Sequence, residues 1–216
     1  MNGVQLLDGF ASFPLKGAWS AALHVSTPIA PSTPTQIIDD QGGLLQLNGT
    51  CKLSSEDGPE FRAVIIGGAG KLGAPVNPAW HQSEPLSAIF SAHTSGEAFA
   101  ASPSLSNQQN SYVASAWIFS DLLDELAPSW WMNDAGLVVV DPPIPSFVSV
   151  SPSDLLKLAP HGADFKDTQI MLRPGAVFPV FVAATSQQRQ FQIVNVRIEW
   201  MRSGQTRVRT EINPWT

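Results

Sequence analysis

The sequence predicts a mainly β fold, with β-barrel-like sheets and one prominent amphipathic helix in a small α+β middle region. Three observations predict it. Eighteen prolines and sixteen glycines in 216 residues punctuate the chain too often for a helix bundle. Period-two alternation recurs in the first and last thirds, as half-buried strands require. One clear apolar stripe at helical spacing stands near residue 120. An apolar content of 44% supplies a core for one large domain or two small ones.

Val4 to Phe13 is a short apolar-rich run, broken by Asp8-Gly9 and ended by Pro14. Trp19, Ala21, Leu23 and Val25 then share one face, with Ser20, Ala22 and His24 on the other. Ser26 to Thr35, rich in Pro, Ser and Thr, cannot hold a central strand and reads as a loop. Leu44 to Leu53 alternates again, Leu45, Leu47 and Gly49 against Gln46 and Asn48. Phe61 to Ile66 is short, β-branched and closed by glycines. Residues 74 to 110 read as irregular, with Pro75, Pro78, Pro85, Pro103 and a Ser/Asn/Gln run.

Ile118, Phe119, Leu122, Leu123 and Leu126 line one stripe of a helix over about 115–127. Ser120, Asp121, Asp124 and Glu125 face away, Ser115 is the cap and Pro128 the terminator. Ser129 to Met132 and Leu137 to Val140 form a hairpin around Asn133-Asp134-Ala135-Gly136. Asp141-Pro142-Pro143-Ile144-Pro145 is a stiff connector to a short strand, Phe147 to Val150, and a possible helical turn at Ser153 to Leu158. Val177 to Ala183 is a strand, and Val194, Val196, Ile198 and Trp200 share a face. After Ser203-Gly204 the chain returns with Val208, Thr210 and Ile212, the strongest hairpin in the sequence. The expected organisation is a β-barrel portion at 1–75, an α+β region at 76–145 and a β portion at 146–216 that completes the barrel.

The composition narrows the function. A net charge of -6 argues against a broad grip on nucleic acid, which neutralises phosphates with Lys and Arg. Arg197, Arg202, Arg207 and Arg209 sit among strand residues and read as a solvated face or subunit contact. Only 14% of residues are charged, which suits a surface covered by other subunits. Cys51 is the one cysteine, so no internal disulfide forms, and its mid-strand place reads as an inert buried thiol. The start lacks a signal-peptide layout and no run is long enough to span a bilayer, so folding in the cytoplasm is expected.

Gly68, Gly70 and Gly73 satisfy G-x-G-x-x-G after a strand, the strongest enzyme signal present. Dinucleotide binding requires a helix to start next, yet Pro75 and Pro78 follow without an amphipathic stripe. Ile65 and Leu72 also spoil the P-loop pattern. A tight structural turn at Gly67, Gly68 and Gly70 is the better reading. His24, His81, His93 and His161 lack metal-ligand spacing, and no nucleophile elbow occurs. No catalytic residue, cofactor or metal is expected. Asp121, Asp124 and Glu125 read as a wet helix face, and Asp39-Asp40 as an unremarkable loop. Among seven tryptophans, Trp117, Trp130 and Trp131 are the candidate interface contacts, one of the adjacent pair pointing inward and the other outward.

Three stretches together resemble the baseplate hub or tail-tip structural proteins of bacteriophages. They are Gly17-Ala18-Trp19 with its alternating strand, Phe61 to Gly70 with its Gly-Gly-x-Gly turn, and an ordered C-terminal series. That series runs Leu122 to Leu126, Trp130-Trp131, Gly136 to Val140 and Arg207 to Ile212. The resemblance touches about half the chain and departs from the pattern at 100–110 and 141–145. It implies a non-enzymatic subunit that forms a ring on the tail axis, with a trimer favoured, as a hub or hub-to-spike connector. Its partners would be tube, hub or spike proteins, with no membrane anchor, and its place the virion tail tip. A carbohydrate- or receptor-binding β-domain of a phage tail protein is the alternative, resting on the tryptophans.

Overall fold

Burial along Trp19 to Val25 follows the alternation in the sequence: Trp19, Ala21, Leu23 and Val25 are buried, whereas Ser20, Ala22 and His24 are not. A computed structural model describes residues 4–39, 45–101, 109–114, 118–127, 129–140, 145–166, 171–182 and 187–215. The first five strands are β1 (Leu6–Pro14), β2 (Ser20–Val25), β3 (Pro34–Asp39), β4 (Leu45–Asp57) and β5 (Glu60–Gly67). A mixed stretch follows: β6 (Ala79–Pro85), α1 (Leu86–His93), β7 (Phe99–Ala101), β8 (Gln109–Ala114), α2 (Phe119–Leu126), β9 (Trp131–Met132) and β10 (Val138–Val140). The last six strands are β11 (Ser146–Phe147), β12 (Leu155–Ala159), β13 (Gly162–Lys166), β14 (Ala176–Val182), β15 (Gln187–Trp200) and β16 (Thr206–Trp215).

The first five and last six strands join in one eleven-stranded sheet, with the path β12-β13-β16-β15-β1-β2-β5-β4-β3. The 14-residue β15 serves two neighbours on one side, β14 along Gln187 to Gln192 and β1 along Asn195 to Trp200. Two small sheets, β7-β10-β9 and β6-β8, carry the mixed stretch. The core runs through both parts, from Trp19 just before β2 and Leu47, Ile65, Phe165, Phe178 and Ile198 in the main sheet to Phe90, Phe119, Leu122 and Val138 outside it.

The mainly β class holds, with four expectations corrected. The described strands form an open path, with β12 and β3 as its ends, so no closed barrel is present among the described residues. A second helix, α1, stands in the stretch expected to be irregular; Leu86, Ile89, Phe90 and His93 give it a buried stripe at i, i+3, i+4 and i+7. Ser153 to Leu158 is not helical. It enters β12, because the turn at Pro160-His161 folds it back onto β13 and sheet pairing overrides local preference. Pro34 lies in β3 rather than a loop, which an edge strand tolerates. The helix expected over 115–127 is α2, bounded by Ile118 and Ala127, whereas Ser115 and Pro128 lie outside the described residues.

Candidate functional site

The chain leaves β5 at Gly67 and turns through Gly68 and Gly70, whose φ angles of 76° and 71° are ones that L side chains resist. This turn aims two backbone N–H groups at one spot, the arrangement that cradles an anion. The anion is the chain's own. Ala69 N–H donates to Glu97 Oε1 at 2.8 Å and Lys71 N–H to Oε2 at 2.6 Å. Glu97 is 3% exposed. Thr50 Oγ1 donates to the Gly68 carbonyl at 2.8 Å and Lys52 Nζ to that of Gly70 at 2.5 Å. The segment after the turn forms no helix before β6. A nucleotide phosphate therefore finds the cradle filled and no helix N-terminus behind it.

The same corner locks the mixed stretch onto the sheet. A Cβ on Gly67 would stand 2.5 Å from Met132 Sδ and 2.6 Å from Trp19 Nε1, so only glycine lets these two pack together. Trp19 Nε1 donates to the Asn133 carbonyl at 3.1 Å. The Asp134 carboxylate takes a bidentate fork from Arg173 at 2.8 and 2.6 Å, and its carbonyl accepts Asn48 N–H at 2.8 Å. Asn133 to Gly136 is thus the expected hairpin turn, seated against β4 and β5.

A second cluster lies on β6 and α1. His81 Nε2 is 3.0 Å from His93 Nε2, and His81 Nδ1 is 2.9 Å from Glu84 Oε2. Residues three apart in a regular strand point to opposite faces. Here the register slips between His81 and Glu84, and Ser83 takes a φ of 53°, which swings the carboxylate under the imidazole. Burial, and then the neighbouring His81, hold His93 below its ordinary value.

A third cluster ties four strands and the β15–β16 turn at one end of the sheet. Arg202 forks onto Glu60 and reaches Asp8 at 2.5 Å, while His24 lies between Asp8 at 2.5 Å and Asp57 at 3.2 Å. Burial pushes the Asp8 carboxyl up, but hydrogen bonds from His24 and Arg202 outweigh it and hold the carboxyl below 3.8. Its contribution is complete above that value and disappears as pH falls through the depressed one. Asp8→Asn is expected to cost under about 1 kcal/mol at pH 7 and nothing in strong acid, measured by urea unfolding across pH.

The predicted residues separate sharply. Gly67, Gly68 and Gly70 meet at the Glu97 corner. Trp130 is buried with its N–H donating to Asp124 at 2.9 Å. Trp131 is half-buried, and its indole nitrogen has no partner among the described residues. Trp117 lies outside the described residues. Asp124 is not merely wet: burial raises its pKa, but Trp130 and Lys16 outweigh that and hold it low. Asp39 is not in a loop either; it ends β3 and accepts the Trp200 indole N–H at 2.8 Å. Arg197 pairs with Glu199 along β15, and Arg207 and Arg209 pair with Asp164 and Glu199 across the sheet. Cys51 is buried, which pushes its thiol up.

Sequence reading missed Glu97, the His81–His93 pair and Trp80, which is 72% exposed on β6. The alternation Trp80 out, His81 in would have found Trp80. Among the described residues no group of three or more His, Cys, Asp or Glu is placed to hold a metal ion. No described helix is long and apolar enough to cross a membrane.

No family model and no curated protein matches the chain. Solved structures do. An Escherichia coli component of the type VI secretion system, described as similar to the T4 bacteriophage tail proteins gp27 and gp5, aligns with a TM-score of 0.68 at 13% identity. The alignment covers 99% of this chain and 74% of that one. The 43 kDa tail protein of prophage MuSo2 from Shewanella oneidensis gives 0.68 at 9% identity, over 97% and 94%. A tail protein from Neisseria meningitidis MC58 gives 0.64 at 9% identity, over 96% and 92%. The chain has the fold shared by these phage tail proteins and the type VI secretion component.

Proposed function

We propose that the chain is a non-enzymatic structural subunit of a bacteriophage tail tip or baseplate, assembling into a ring on the tail axis as a hub or hub-to-spike connector. The observation that supports this reading is fold likeness, spanning nearly the whole chain, to two tail proteins and to a type VI secretion component that itself resembles tail proteins. The sheet supports the ring. Its path ends in two edge strands, β3 and β12, each with an exposed apolar residue, Ile38 at 58% and Leu156 at 54%. An unpaired edge is an aggregation hazard unless something covers it. A head-to-tail contact between unlike edges of successive copies closes a ring and covers both.

A trimer is favoured, with tube, hub or spike proteins as neighbours, neither nucleic acid nor membrane gripped, and the virion tail tip as its site after assembly in the host cytoplasm. The 1–75 and 146–216 portions would form the ring body and 76–145 a lateral unit. Light scattering on the purified chain at tens of micromolar tests this. The expected mass is three times 23.2 kDa, and a persistent monomer contradicts the ring. Ile38→Arg or Leu156→Arg is expected to shift the distribution to monomer while the thermal midpoint moves by only about 2 °C, since surface changes cost little.

One observation favours the alternative, a glycan- or receptor-binding tail domain. An open pocket of about 530 Å³ is lined by Gln188, Arg189, Gln190, Phe191, Pro214 and Trp215. It combines an aromatic ring with amide and guanidinium donors, as sugar sites do. Saturable glycan binding by a monomer, lost in Trp215→Ala, would establish it.

A further inference from the structure

We propose that the buried His81–His93 pair is a proton-operated catch on α1: it stays shut with one shared hydrogen and opens when both imidazoles are charged. His81 Nδ1, 2.9 Å from Glu84 Oε2, donates to the carboxylate. Neutral His81 therefore offers Nε2 as an acceptor, and His93 Nε2 donates to it across 3.0 Å. The rings stand 84° apart with centres separated by 5.2 Å, which puts the two nitrogens almost on the line between the centres. That is the head-on geometry of an N–H···N bond. A tetrahedral metal between them would draw the lone pairs in at an angle instead.

One added proton preserves the bond, because a single hydrogen still lies between the two Nε2 atoms. A second added proton cannot be accommodated, because both Nε2 atoms would then carry hydrogen and face each other. Two positive charges would share one carboxylate, Glu84, with both rings about 95% buried from solvent. The other groups on the packed elements are already engaged or turned away. Tyr112, opposite His81 on β8, donates to Glu125 of α2 at 2.5 Å. Asp124 of α2 is held by Lys16 and Trp130, and Asp121 is exposed. Among the described residues neither imidazole has another charged partner.

The sign follows from the lowered pKa of His93. The neutral ring is favoured in place, so the catch is fully shut above about pH 6.5 and weakens as pH falls below it. Opening frees the helix that buries Leu86, Ile89 and Phe90. It also loosens the turn that carries Glu97, four residues beyond His93, into the glycine loop. The main sheet has no member in the catch and stays closed.

Hydrogen exchange on the full chain at pH 7.5 and 5.0, corrected for intrinsic exchange, tests the proposal. Amides of α1 are expected to exchange at least tenfold faster at pH 5.0 while β15 and β16 keep their protection. His93→Gln is expected to abolish that difference. Unchanged protection of α1, loss in all strands together, or the same acid loosening in His93→Gln would each overturn it. Should His93→Gln not fold, imidazole titration in the native chain by NMR decides. Two coupled steps more than one pH unit apart support the catch, and two independent titrations near 6.5 refute it.

Discussion

Trp19→Ala is expected to destabilise the protein by about 4 kcal/mol, the range for emptying a fully buried aromatic site. Trp19 is wholly buried and its ring fills the space between Gly67 and the Phe13 ring, whose centre is 6.0 Å away. Its N–H also secures the Asn133 carbonyl, so truncation leaves a cavity and an unmet acceptor at once. Trp19→Phe keeps part of the volume and loses the hydrogen bond, and is expected to cost about half as much. Urea unfolding followed by circular dichroism measures both. A Trp19→Ala protein within about 1 kcal/mol of the wild type would show that this corner does not join the two regions.

The second large effect belongs to Glu97→Ala, at about 3 kcal/mol, because hydrogen bonds to a charged group contribute about 1.5–3 kcal/mol each and water replaces part of the loss. For a chain of this size that is a fall of roughly 10 °C in the thermal midpoint. Glu97→Gln is expected to lie between, since its amide accepts from one of Ala69 and Lys71 but turns an NH₂ toward the other. The informative comparison adds phosphate or sulfate to Glu97→Ala. If the nest is an anion cradle, the ion restores part of the lost stability in the mutant and none in the wild type. Equal response in both would deny the carboxylate its place.

Most of the main sheet was legible because its strands alternate and end in Gly, Pro and Asp signals. Ala21, Leu23 and Val25, or Val196 and Ile198, are buried as period two requires. The α1 helix was hidden for a local reason: prolines at 75, 78 and 85 break the surrounding pattern, and Pro85 takes the N-cap place without a side-chain bond. β12 was hidden for a non-local one, since its strand exists through pairing with β13. The candidate site was less legible still. The glycines announced a turn, but nothing in residues 67–73 says that the anion comes from residue 97. Asp134 and Arg173, or His81 and His93, meet only because the fold brings distant segments together. Trp80 was the exception; a two-residue alternation pointed at it.

The pairing of β1 with β15 has a consequence for how the chain is made. Gly9 sits opposite Trp200 and Phe13 opposite Val196, so β1 leaves the ribosome long before β15 and waits for it to complete its hydrogen bonds. At elongation rates of about 5–20 residues per second that wait is roughly 10–40 s. During it, β1 and β2 form a ribbon with one open edge, able to pair with the same edge of a nascent neighbour on the same message. Slowing translation after residue 180 is therefore expected to increase swapped dimers joined through β1, and raising the dose of trigger-factor-type chaperones to reduce them.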